Sequence, residues 1–265
     1  MTLFQIVVLA IIQGITEFMP ISSSGHLALA PQIAGWPDQG LMIDVAVHVG
    51  TLGAVCAYLW RDMWAILRAL PRLLAGKVEA GAKLLWLGVV GSVPVAGAGF
   101  AMHVYGIETL RTAEIIGWAF LGFGILLYLS DRLGLTVRRI EHMSVVNALY
   151  IGIAQTLALI PGASRAGVTI TMARMLGFER REAARFSMLL SIPAILGAGL
   201  LQGLELIEGG NIRLQTDAIL AAGLSFSFAL IGIDMMMGWL RRASYTPFVI
   251  YRMLAGAAIL AWAYS

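Results

Sequence analysis

Gln13-Gly14-Ile15-Thr16-Glu17-Phe18-Met19-Pro20-Ile21-Ser22-Ser23-Ser24-Gly25-His26 closes an apolar stretch, about residues 3 to 18, that falls short of the roughly 20 residues a helix needs to cross a bilayer. Gln13 and Glu17 stand four apart and share one helix face. Pro20 then stops the helix, and three serines with Gly25 form a turn before His26. A second short apolar piece follows in place of the far half of a span. Backbone broken at membrane depth is tolerated only where protein or water covers it. The stretch therefore predicts a re-entrant helix pair lining a cavity.

The bilayer is inferred from the rest of the chain. Of its residues 59% are hydrophobic and 12% charged, with a mean hydropathy of +0.84, which is more apolar surface than one soluble core of this length buries. Runs long enough to span appear at about 42–60, 84–104, 112–130, 186–207, 218–239 and 247–264. A second short stretch at about 145–160 also ends in a Pro/Gly/Ser segment and predicts a second re-entrant pair. The expected fold is all-α and integral to the membrane, with six transmembrane helices and two re-entrant helix pairs.

The two halves resemble each other at an offset of about 141, which sets Pro20 on Pro161 and Ser23 on Ser164. Ala34-Gly35-Trp36 then lies one residue away from Leu176-Gly177-Phe178. Each half carries one re-entrant pair and three spans, so the odd number of crossings inverts the second half. This predicts a single domain over 1–265, with one repeat at about 1–130 and the other at about 144–265. Thirteen Lys and Arg residues, from Arg61 to Arg242, fall in loops on one side, against Arg111 and Arg213 on the other. The positive-inside rule makes the first side cytoplasmic and puts the termini and the first re-entrant loop outside. The basic residues are spread over short loops with no aromatic-interleaved patch, which argues against nucleic acid as a partner. The single cysteine, Cys56, excludes a disulfide framework and a thiolate cluster.

Two segments carry the chemistry. The first brings a carboxylate, three hydroxyls and an imidazole into one short stretch, and ionisable groups at membrane depth point to function. The second, Pro161-Gly162-Ala163-Ser164-Arg165-Ala166-Gly167-Val168-Thr169, reads as a phosphate cradle. Its small residues let backbone N–H groups of Gly162 and Gly167 crowd an anion, a helix begins there, and Arg165 offers a forked donor. Ser22, Ser24, Ser164 and Thr169 are the further expected phosphate contacts. A purely structural alternative pairs Arg165 with Glu17 as a buried salt bridge, and both readings bring the two tips together. Asp44 and His48 share a face and either line the cavity or satisfy a helix end. Arg252 is either an interhelical tie or a second phosphate contact.

At these residues the chain resembles the undecaprenyl-diphosphate phosphatase family, also called bacitracin-resistance proteins. Residues 13–26 resemble the family's first motif and 161–169 its second, while Tyr245-Thr246-Pro247-Phe248-Val249-Ile250-Tyr251-Arg252 resembles a third, less diagnostic stretch. The resemblance covers essentially the whole chain. It implies hydrolysis of undecaprenyl diphosphate, recycling of the lipid carrier of peptidoglycan synthesis, a bacterial plasma membrane and dependence on a divalent cation. It also carries over Glu17, His26 and Arg165 as the essential set, supported by Ser23 and Ser164. Two positions depart: Gln13 leaves Glu17 as the sole carboxylate of its pair, and Ala166 stands where the family commonly has a second serine.

On this reading the head group enters between the two tips, the prenyl tail stays in lipid, and Glu17 with Gln13 holds Mg2+ or Ca2+. The nucleophile is Ser23 activated by His26, His26 itself, or a water oriented by His26 or Glu17. His26 is favoured as base or nucleophile. The expected partners are a polyprenyl diphosphate, membrane lipid and a second copy in a homodimer. A lipid-carrier flippase or transporter using the same cavity is the alternative from another class.

Overall fold

A computed structural model describes residues 1–74, 80–105, 112–134, 136–208 and 212–265, with the backbone alone for 72–74, 103, 198–208, 212 and 213. Lys77, Arg111 and the side chain of Arg213, all used in the charge argument, lie outside the described residues. The described residues form eleven α-helices and two short 3-10 turns. The helices are α1 (Leu3–Thr16), α2 (Ser23–Ala34), α3 (Leu41–Tyr58), α4 (Trp60–Leu74), α5 (Ala80–Val104), α6 (Ala113–Leu133), α7 (Val145–Gln155), α8 (Arg165–Met175), α9 (Arg180–Glu208), α10 (Ile212–Trp239) and α11 (Thr246–Ala263).

Among the described residues five helices are long and apolar enough to cross a membrane, namely α3, α5, α6, α10 and α11. The sixth expected span, 186–207, runs along α9, whose side chains from 198 onward lie outside the described residues. Large apolar side chains stay outward on these helices, including Phe100, Trp118, Ile219 and Leu254, as lipid-facing surface requires. Inside, α3 and α1 pack on α10, α6 on α11, and α5 on α7. The approaches are close because small residues face one another. A methyl group on Gly50 of α3 would collide with the Ala222 backbone of α10, and Ser225 of α10 donates to the Val47 carbonyl at 2.8 Å.

The short helices break as the sequence implies. After α1 the chain turns through residues 17–22, and Ser22 takes a left-handed backbone (φ 71°) before α2 begins. After α7 and a 3-10 turn at Thr156–Leu159, Ser164 does the same (φ 73°) before α8. Each serine hydroxyl caps its helix by accepting from the N–H three residues on, Gly25 and Gly167 at 3.3 and 3.0 Å. Gly35 and Gly177, which end or follow the second helix of each pair, both have positive φ.

These matching turn positions stand 142 residues apart, against the offset of about 141 read from the prolines. Ser22 matches Ser164, Gly25 matches Gly167, Gly35 matches Gly177 and Gln13 matches Gln155. Proline misled the sequence comparison because the first turn reaches its capping serine two residues after Pro20, whereas the second needs three after Pro161.

At one end of the bundle Asp131 ties four helices. It accepts from Arg174 at 3.2 Å, Arg180 at 2.7 Å and the Tyr245 N–H at 3.1 Å. Arg174 is fully buried and also donates to the Phe178 carbonyl. A charge removed from water is tolerated when its donors are all met, and this clasp fixes the spacing of α6, α8, α9 and α11.

Candidate active site

Glu17, the residue that caps the C-terminus of α1, sits 7% exposed where the tips of the two broken helix pairs meet. Its Oε2 accepts from the Ser23 hydroxyl at 2.6 Å and from Gln13 Nε2 at 2.9 Å. Its Oε1 accepts from Arg165 Nη2 at 3.2 Å. Ser23 and Arg165 are the first residues of α2 and α8, so the positive ends of two helices point toward this carboxylate. Arg165 Nη1 donates to the Ser187 carbonyl at 2.9 Å, which fixes the guanidinium from the α9 side.

A cavity of about 400 Å³ opens onto these groups. Its polar end is formed by Glu17, Ser23, Ser24, Asp44, His48, Ser164 and Arg165, and its walls by Leu27, Ala28, Leu41, Val45, Leu159 and Ile195, among others. A polar floor under apolar walls suits an amphiphile whose anionic head is small and whose remainder is hydrocarbon.

His48 is the site member that the sequence left undecided. Its Nε2 lies 3.6 Å from Glu17 Oε2. Its Nδ1 lies 2.6 Å from the Asp44 carbonyl, a contact that fixes the ring plane and turns the Nε2 edge toward Glu17. Of the two expectations for this pair, the structure bears out cavity lining: both residues face the cavity, and Asp44 accepts from the Gln39 side-chain amide at 2.7 Å.

His26 stands apart from this cluster. Its Nδ1 lies 2.7 Å from the Ser22 carbonyl, its Nε2 2.5 Å from the Tyr251 hydroxyl, and its ring packs between Phe120 and Tyr251. Among the described residues no hydrogen bond joins it to Ser23 or Glu17, and it does not line the cavity. With Nδ1 donating to a carbonyl, Nε2 accepts from Tyr251, so both nitrogens are engaged.

The remaining expected phosphate contacts divide in two. Ser24, Ser164 and Arg165 reach the cavity. Ser22 is buried as a helix cap, the Gly167 N–H is taken by Ser164, and Thr169 is buried with its hydroxyl 2.7 Å from that of Ser187. Gly162, at φ 89°, turns its carbonyl to Arg252.

Arg252 is the tie, not a contact to the cavity. Fully buried, it spends its five N–H donors on five carbonyls: Phe120, Pro20, Ala163, Ala119 and Gly162. Pro20 belongs to the first tip and Gly162 and Ala163 to the second, so one side chain from α11 fastens both tips to α6.

For a divalent cation the donors are few. Among the described residues no three His, Cys, Asp or Glu side chains converge. The Oε1 of Gln13 is buried without a hydrogen-bond partner, which leaves one amide oxygen beside the Glu17 carboxylate. Two such oxygens fit an ion that completes its shell with substrate phosphate and water.

The chain is similar to known proteins along its whole length. A family model described as "Bacitracin resistance protein BacA" matches residues 6–258. A protein of Rhodospirillum rubrum named undecaprenyl-diphosphatase 1 is 53% identical, covering 100% of this chain and 96% of its own. Proteins named undecaprenyl-diphosphatase from a Jannaschia species and from Hahella chejuensis are 47% and 45% identical, each over 100% of this chain and 100% and 99% of their own. With the family match taking in both broken helix pairs and reaching into the last of the five described spans, the chain belongs to the bacitracin resistance protein BacA family.

Proposed function

We propose that this chain is a membrane phosphatase that hydrolyses undecaprenyl diphosphate to undecaprenyl phosphate and inorganic phosphate. The observation that carries the reading is Ser23 Oγ at 2.6 Å from Glu17 Oε2, with Glu17 Oε1 against Arg165. A nucleophile, a base and an anion-binding cation share one carboxylate at the floor of an apolar-walled cavity. The names of the relatives supply the prenyl diphosphate.

In this mechanism Glu17 takes the Ser23 proton as Oγ attacks the terminal phosphorus. The bond to the bridging oxygen breaks, and undecaprenyl phosphate leaves as an anion that needs no proton. Arg165 swings part of its fork from Glu17 to the equatorial oxygens, where charge is greatest in transit. Water then cleaves the phosphoseryl group, and the proton held on Glu17 returns to Ser23. His48 faces the same Oε2 and keeps that carboxylate oriented toward the serine. His26 acts from behind α2 as a positioning residue. Glu17 and Gln13 are the residues that would hold Mg2+ or Ca2+, and such an ion supplies charge neutralisation on the phosphate oxygens.

The finer architecture is part of the same reading. One domain spans 1–265, built of two inverted repeats at about 1–130 and 144–265, with six transmembrane helices and two re-entrant pairs. The setting is the bacterial plasma membrane, with termini and cavity on the outer side. The shared tip geometry at a spacing of 142 residues supports it. The test is phosphate release from a polyprenyl diphosphate by the detergent-purified protein, with and without Mg2+ or Ca2+. Cation-stimulated release that disappears in Arg165→Ala is expected, and a folded wild-type protein that releases no phosphate would overturn the reading.

A further inference from the structure

Helix α4 follows α3 with only Leu59 between them and precedes α5 in sequence, so it lies between two spans at the membrane boundary. It is not itself a span, since its fifteen residues include Arg61, Asp62, Arg68 and Arg72. Its inner side is fastened. Asp62, 8% exposed, accepts from Arg185 Nε at 3.0 Å and Nη2 at 2.5 Å, Ala69 is buried, and the Ala65 backbone lies against Gly81.

The outer side has a different composition. Trp60, Trp64, Leu67 and Pro71 recur at spacings of three and four and are all exposed, which forms one apolar-aromatic stripe. Arg61 and Arg68, two turns apart, are exposed along a single edge of that stripe. The Arg61 guanidinium lies 5.4 Å from the Trp60 ring and that of Arg68 4.7 Å from the Trp64 ring. The only acid on the helix is already held by Arg185. Among the described residues no carboxylate pairs with Arg61 or Arg68.

We propose that this face of α4 is a binding surface for the headgroups of anionic glycerophospholipids. The tryptophan rings and Leu67 enter the upper acyl region, and the two arginines, held above the rings by cation–π contact, meet the headgroup phosphates. Charge complementarity selects the ligand: a zwitterionic lipid offers the same phosphate but brings its own ammonium to cancel the field of the arginines. The Arg185–Asp62 pair keeps α4 docked so that the stripe faces outward. This surface is separate from the cavity and does not rest on the phosphatase reading.

The experiment is native mass spectrometry of the detergent-purified full chain titrated with phosphatidylglycerol or phosphatidylcholine, beside R61Q/R68Q. Wild type should retain phosphatidylglycerol in preference, and the double variant should lose that preference by roughly fivefold for each arginine removed, with an unchanged melting temperature. Equal retention of the two lipids by wild type, or undiminished preference in the variant, would overturn the proposal. As a check that does not alter the arginines, a nitroxide at Leu67→Cys in a Cys56→Ser background should collide with oxygen more than with a water-soluble nickel complex in phosphatidylglycerol vesicles. The opposite ranking would equally overturn it.

Discussion

Arg165 and Glu17, 148 residues apart in sequence, meet with Nη2 3.2 Å from Oε1, and this one contact joins the tips of the two broken helix pairs. The pair is partly buried and open to the cavity on one side. Such a pair is worth more as a poised charge arrangement than as a source of stability. Glu17→Gln keeps the shape and removes the base. Turnover should fall by about 10²–10⁴-fold while the melting temperature in detergent changes little. A variant with near-normal phosphate release would remove Glu17 from the proton transfer.

Arg252 carries a stability prediction. Three of its five carbonyl partners, those of Pro20, Gly162 and Ala163, lie outside the helices, so Arg252→Met leaves these buried acceptors without its donors. A loss of about 3–5 kcal/mol is expected, read as a lowered unfolding midpoint, together with lost turnover because both tips come loose. Unchanged stability would show that the tips are held by other contacts.

His26 and Tyr251 act as one unit in the structure, joined through Nε2 and the hydroxyl. The costs in turnover of His26→Ala and Tyr251→Phe should therefore not add. The double variant should be no worse than the more damaged single one. Additive losses would mean that His26 acts on the reaction by a route that does not pass through Tyr251.

The contact between α3 and α10 tests the packing. Gly50→Ala places a methyl group against the Ala222 backbone, which has no side chain to move aside. Overpacking of this kind costs about 1–3 kcal/mol. A thermal shift assay should show the loss, and it should reach the site too, because His48 lies on α3 two residues before Gly50.

Much of this site was legible along the chain because its parts are local. Gln13 and Glu17 share a face by spacing alone, Pro20 and the serines announce a break, and Arg165 at the start of a helix reads as an anion donor. The approach of His48 to Glu17 was not legible, since it depends on how α3 packs beside α1. His26 misled for a related reason. Three residues after Ser23 on α2 it looks like a natural base, yet Phe120 on α6 and Tyr251 on α11 draw its ring to the other side. Thr169 sits in a motif that reads as a cradle, but its hydroxyl meets the Arg165 and Ala166 carbonyls and Ser187 instead. The helical, membrane-spanning character followed from hydropathy, whereas the 142-residue spacing of the two turns needed the backbone angles of Ser22 and Ser164.

The central claim is that Ser23, with Glu17 as its base, attacks the terminal phosphorus. The direct measurement is rapid acid quench of the protein turning over a polyprenyl diphosphate labelled in its terminal phosphate, followed by peptide mapping. The account predicts label on the peptide containing Ser23 in wild type, none in Ser23→Ala, and no turnover by that variant. Steady phosphate release by Ser23→Ala, with no labelled peptide in either protein, would contradict it and assign the attack to water.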